Sequence, residues 1–244
     1  MDLFLADVTN VFSLQPDKQS GPCTPFLGKE STRMSLGFSN GMMSKEAARV
    51  GRKHKDTVSI LQAADSLLSL YSETNYIEHH MFIPPLFVAL MKASDFTDHH
   101  VWQTLLKYCQ FADNWASVDK LCLDLLGRFP AYDAPFVDDL YEFSRSSNLY
   151  LRRFSVVILC RPCRTLPQAV TVALDLATFI LGSKENLLRK TVAWICKESS
   201  KSDQQQVYQF LLKNYEQIMW GTLNDAMSKL NNDMRRELTK LKKG

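Results

Sequence analysis

The sequence predicts an all-α fold built from stacked helix pairs, and three observations carry that expectation. Apolar residues recur at steps of three and four from Lys45 almost to the C-terminus, and no alternating β run of useful length appears. Glycine and proline gather ahead of this region. Four of the nine glycines (Gly21, Gly28, Gly37, Gly41) and three of the nine prolines (Pro16, Pro22, Pro25) lie between Leu14 and Ser44. Finally, the stretch from Ser146 to Val156 matches Ser183 to Ala193 at a shift of 37 residues. Each copy has a polar turn, a leucine followed by two basic residues, then small or β-branched ones. Helix pairs repeating roughly every 35–40 residues are typical of HEAT-like arrays. Such arrays stack into a curved superhelical solenoid, here expected to carry a concave basic groove lined by the second helix of each pair. Arg153 and Lys190 hold equivalent repeat positions, so their charges are expected along one surface.

In chain order, residues 2–13 read as a short helix ending near Pro16. Residues 14–44 show no period and read as a loop, partly disordered. The boundary is therefore placed at 44, with a repeat domain over 45–244. Within it, Val58, Leu61, Ala64, Leu68 and Tyr71 mark one helix from Ala47 to Tyr71. Thr74–Lys92 is a second, with Pro84-Pro85 forcing a kink or break. Phe96–Phe111, Trp115–Arg128, Pro135–Ser146, Leu149–Cys160, Pro167–Leu181, Asn186–Ser200, Gln204–Ile218 and Thr222–Leu241 follow. Pro135 and Pro167 suit a first turn and Asp203 an N-cap.

Composition narrows the function classes. Hydrophobic content of 45% is ordinary for a soluble chain of 244 residues, and no run of about 18 uncharged apolar residues exists to span a membrane. The start, MDLFLADVTN, is acidic where a signal peptide is basic, so secretion is not expected. Six scattered cysteines read as small buried hydrophobes in an intracellular reducing compartment, the cytoplasm of a prokaryote or the nucleus of a eukaryote. Cys160-Arg-Pro-Cys163 lacks a second pair or nearby histidine, so no metal is expected; it reads as a helix end. Net charge is +3, yet Arg145–Gly244 holds seventeen Lys and Arg against eight Asp and Glu. That asymmetry suits an anionic partner on one side, or simply a solvated surface.

Three clusters could carry chemistry. In Asp113-Asn-Trp115-Ala-Ser-Val-Asp119, Trp115 and Asp119 are four apart and share a helix face. They flank a core stripe of Val118, Leu121, Cys122 and Leu125, and the plainer alternative is a core-edge tryptophan beside a solvated aspartate. Arg152-Arg153 comes next. With Leu151, Phe154 and Ile158 inward, Arg153 is expected opposite the core, its fork of donors suited to phosphate or carboxylate, or to a salt bridge between repeats. In Asn186–Lys201, Leu188, Thr191, Val192 and Ile195 form one face and Lys190, Trp194, Lys197 and Lys201 the other. A tryptophan among lysines suits nucleic acid, or equally a partner protein.

The ordered set Asn114-Trp-x-x-Val-Asp119, Asn148-Leu-Tyr-Leu-Arg-Arg153 and Arg189-Lys-x-x-x-Trp194-x-x-Lys-Glu198 resembles the DNA alkylation-repair glycosylases of the AlkD type, built of HEAT-like repeats. The resemblance runs from about Tyr76 to Lys240, with Pro25-Phe-Leu-Gly28 a weaker match upstream. It implies a monomeric hydrolase, without metal or cofactor, that holds double-stranded DNA containing a cationic N3- or N7-alkylated purine. By that likeness, Asp119 would stabilise an oxocarbenium-like sugar and position water, hydrolysing the N-glycosidic bond without base flipping. Trp115 and Trp194 would pack on the lesion deoxyribose, and Arg153 and Lys197 would hold flanking phosphates, with Arg152, Lys190 and Lys201 lining the same basic face. Lys197 stands where the family pattern has arginine, and the segment before Pro25 is short. The alternatives are a non-catalytic DNA-binding HEAT-repeat protein and a protein-interaction scaffold.

Overall fold

The computed structural model describes residues 1–23, 27 and 32–243. Among these the chain is all-α, with thirteen α-helices and one two-residue antiparallel strand pair, Gly21–Pro22 with Met34–Ser35. It divides into two compact units, Met1–Phe129 and Pro130–Gly244. No helix is long and apolar enough to cross a membrane.

The first unit holds α1 (Asp2–Val11), α2 (Asn40–His54), α3 (Ile60–Glu73), α4 (Ile77–Leu90), α5 (His99–Leu106) and α6 (Trp115–Lys120). Its core is aromatic-rich, with Phe4, Tyr71, Phe82, Phe87, Trp102 and Tyr108 fully enclosed. α2 and α4 form its most extensive helix pair. Gly51 permits that closeness, because a Cβ there would stand 2.5 Å from the Ala89 Cβ and 2.9 Å from the Leu86 carbonyl oxygen.

Several expectations for this unit are corrected. The stretch 14–44 is not loop throughout: it contributes the strand pair, and α2 begins at Asn40, where the Ser39 hydroxyl accepts from the Met42 amide. Of the motif Pro25-Phe-Leu-Gly28, only Leu27 lies within the described residues, and it is buried. The single helix expected from Ala47 to Tyr71 is two, because Ser59 and Gln62 form a capping box that starts α3 afresh. Conversely, Pro84-Pro85 does not break α4. Each proline forfeits a hydrogen bond and costs about 3 kcal/mol in a helix interior. Burial of Phe82, Ile83, Leu86, Phe87 and Leu90 along the same helix offsets that loss.

The second unit holds α7 (Phe136–Ser144), α8 (Leu149–Val157), α9 (Pro167–Thr178), α10 (Asn186–Ser199), α11 (Gln204–Asn214), α12 (Trp220–Ala226) and α13 (Asn232–Lys243). The repeat read from the sequence reappears in the helix boundaries, since α8 and α10 begin at matching repeat positions, Leu149 and Asn186. α10 is central, packing against α8, α9, α11 and α12 through Leu188, Val192, Ile195 and Cys196. Asp203 caps α11, accepting from the Gln206 amide. The final stretch, expected as one helix, is interrupted between α12 and α13 by a 3-10 turn at Met227–Lys229 and by Leu230 in extended conformation. Pro162 opens a new turn after the one ending at Cys160, and all six cysteines are buried and unpaired with one another.

Candidate nucleic-acid interface

One candidate cluster lies in the first unit. Asn114 caps α6, its side-chain oxygen accepting from the Ser117 amide at 2.9 Å. Trp115 and Asp119 follow one turn apart on that helix, both half-buried, while Val118, Leu121, Cys122 and Leu125 fill the core as expected. After Lys120 the helix widens into a π turn over Leu121–Leu125, a distortion that commonly accompanies functional sites. Lys120 is itself drawn in, paired with Asp124 at 2.6 Å and donating to Ser44 at 3.2 Å.

A polar chain, buried from Asn114 through Ser117 to His80 and partly exposed at Asp113, pins the start of α6. Arg33 donates through Nε to both oxygens of Asp113 at 3.1 Å, and its guanidinium also reaches the Thr74 carbonyl. The Asn114 amide donates to Asp113 and to the Ser117 hydroxyl, each at 2.8 Å. Ser117 and His80 Nδ1 are 2.7 Å apart, and His80 Nε2 lies 3.0 Å from the Tyr71 carbonyl. The carbonyl can only accept, so Nε2 carries the proton and Nδ1 accepts from Ser117. Burial lowers the His80 pKa to about 3, keeping that neutral tautomer in place. Burial pushes the Asp113 carboxyl upward, but the bonds from Arg33 and Asn114 outweigh it and hold it below the usual range.

Sequence reading missed Arg33 and His80 as parts of this site, and it took Asn114 and Ser117 only as motif positions, without the cap they form. The Asn114-x-x-Ser117 pair carries a readable capping signal. Nothing in the sequence links it to a histidine 37 residues upstream.

A separate candidate cluster lies in the second unit, and here one expectation is corrected. Arg153 does not point away from the core: it is 5% exposed, with Nη1 donating to Thr191 Oγ1 at 2.7 Å and directed at the Leu187 carbonyl at 3.4 Å. Its guanidinium lies 5.6 Å from the Trp194 ring centroid, so the structure brings these two predicted residues together. The reason is α10, whose packing on α8 covers the Arg153 position. Lys190, at the matching place in the next repeat, remains exposed. The two charges therefore do not line one surface.

On α10, Trp194 is half-buried rather than exposed, and the lysines differ in their surroundings. Lys197 bonds both oxygens of Asp225 on α12 at 2.8 and 3.0 Å. Lys201 and Arg164 meet the same oxygen of Glu198 at 2.6 Å each. Arg152 is half-buried, its closest acceptor the Phe179 carbonyl at 3.5 Å. Lys190 and Arg189 line a cleft of about 370 Å³ between α10 and α12, closed on the far side by Met219 and Thr222. Among the described residues no group of three or more histidines, cysteines or acids could hold a metal.

The helices, with a pinned Trp–Asp pair in one unit and a half-buried tryptophan beside arginine and lysine in the other, define an all-α protein of the helical-repeat class. Comparison with known families makes the class specific: residues 26–230 match the family described as DNA alkylation repair enzyme. The chain belongs to that family, which makes DNA repair its general role and DNA its implied partner. No individually curated protein matches it.

Proposed function

We propose that this protein is a DNA glycosylase that excises positively charged N3- or N7-alkylated purines from duplex DNA. The observation that carries the proposal is the Trp115–Asp119 pair, half-buried on one helix whose first turn is fixed by a buried polar chain. A cationic base is already a good leaving group, so the bond to be broken needs little acid catalysis. What develops is positive charge on the sugar. Asp119 would stabilise it electrostatically and orient the attacking water, a contribution worth about 3–4 kcal/mol when the group is preorganised. Trp115 and Trp194 would pack against the deoxyribose, indole faces attracting cations by roughly 0.5–2 kcal/mol. Because no base pocket is required, the lesion would be hydrolysed without being flipped out of the duplex.

In this reading Lys197 exchanges the Asp225 carboxylate for a phosphate, with Lys190, Lys201 and Arg152 on the same strand. Arg153 sets the orientation of Trp194 from beneath, and a phosphate reaching it competes with Thr191. The test is release of 7-methylguanine or 3-methyladenine from methylated duplex DNA. Asp119→Asn is expected to lower the rate by about 10²–10³-fold. Release by the native protein no greater than by that variant overturns the proposal.

One feature favours a second reading, DNA binding without base excision: Lys197 is engaged by Asp225 and Arg153 is turned into the core. Duplex binding that weakens with salt, with no base released, identifies it.

A further inference from the structure

The C-terminal helix has a face that the proposed reaction does not use. α13 packs into the second unit through Leu238, which is fully buried. Its residues Arg235, Arg236, Thr239 and Lys240 instead line an open cleft of about 640 Å³ whose opposite wall is α12, with Trp220 at its edge. Trp220 is 38% exposed, unusual for the side chain with the largest apolar area.

The charges in this cleft are unbalanced. None of the residues lining it is acidic. Arg236 has one acidic neighbour, Asp233 at 3.5 Å, and both side chains are largely exposed, so the pair neutralises little. Among the described residues neither Arg235 nor Lys240 forms an ion pair. Arg236 and Lys240 stand four apart on one helix face, where like charges repel. Three exposed cations, only Arg236 of them ion-paired, beside a partly exposed indole and with asparagine and threonine between them, match what a single nucleic-acid strand offers: regularly spaced phosphates and an unstacked base. A duplex offers the phosphates but keeps its bases stacked inside, out of reach of the indole.

We propose that the cleft between α12 and α13 binds single-stranded nucleic acid, with Trp220 stacking on a base and Arg235, Arg236 and Lys240 holding the adjoining phosphates. This surface is separate from the residues assigned to base excision, and the two readings stand or fall independently.

The test is fluorescence anisotropy of labelled oligo-dT and oligo-rU strands, and of a duplex of the same length, on the full chain across a salt series. The expected result is single-strand binding that weakens as salt rises. Trp220→Ala weakens it roughly tenfold while changing duplex binding little. Arg235→Ala/Arg236→Ala/Lys240→Ala weakens it further and flattens the salt dependence. Thermal melts confirm that both variants remain folded, and Trp220→Phe, which keeps a stacking face, recovers most of the affinity. A preference between the dT and rU strands identifies DNA or RNA as the source. Equal loss of duplex and single-strand binding in Trp220→Ala overturns the proposal, as does single-strand binding indifferent to both variants. Displacement of the strand by an acidic peptide at equal charge also overturns it, showing a surface that reads charge alone.

Discussion

Arg153 shows how one side chain can change role without changing charge. Buried at 5% exposure, it bonds Thr191 and underlies Trp194, so it joins α8 to α10 while shaping a proposed DNA contact. Arg153→Ala would leave the Thr191 hydroxyl without its donor and a void beneath the indole. We expect it to destabilise the protein by about 2–3 kcal/mol in chemical denaturation, a loss a surface phosphate contact would not produce. His80 supplies a pH signature. Its folded pKa, about 3, lies below the ordinary imidazole value of 6.5, so an unfolded chain takes up a proton that the folded one refuses. Stability is then complete above about 6.5 and declines as pH falls toward 3, by up to about 1.4 kcal/mol per pH unit for this one group. His79, lowered to about 4 by burial, acts in the same direction. The non-titrating variant His80→Gln is expected to flatten the slope of unfolding free energy between pH 6.5 and 4, although it is less stable at neutral pH.

At the scale of the element, α4 and α10 organise their units for different reasons. α4 retains two internal prolines because its apolar side chains are enclosed on several sides, and α2 can approach it because position 51 has no side chain. Gly51→Val should separate the pair and cost about 1–3 kcal/mol, read as a lower denaturation midpoint. α10 presents a buried face and a cationic one, and Glu198 gathers Arg164 and Lys201 at its end. Burial pushes the Glu198 carboxyl upward, but the bonds from Lys201 and Arg164 prevail and hold it below the usual range. Its stabilising contribution is present above the ordinary glutamate value and is lost as pH falls through the lowered one. Glu198→Gln removes the titrating carboxylate and both ion pairs at every pH, so it should lower stability at neutral pH and flatten the acid-dependent decline below about pH 4.5, seen in thermal melts.

At the scale of the molecule, positive charge is concentrated beyond Arg145, while the overall charge is only +3. DNA affinity should therefore depend on the second unit's lysines far more than on net charge. Lys190→Ala together with Lys197→Ala is expected to lower the slope of log affinity against log salt by about two counterions' worth, measured by titration with duplex DNA. Equal charge removal from the exposed lysines of α2 should leave that slope unchanged.

The sequence alone determined the all-α class, the repeat that begins α8 and α10 alike, and the core stripe below Trp115 and Asp119. These follow from periodicity and local backbone preference, which act over a few residues. It also carried the family resemblance, because the Trp–Asp, Arg-Arg and Trp-Lys motifs keep their order and spacing. Tertiary structure decided what depends on neighbours distant in the chain. A covering helix turned Arg153 inward, Asp225 captured Lys197, and enclosure preserved α4 through Pro84-Pro85. His80 and Arg33 were joined to α6 by hydrogen bonds spanning 37 and 80 residues. The direction of a polar side chain is set by the acceptors that folding brings within 3 Å of it, and those are not written in its own stretch of sequence.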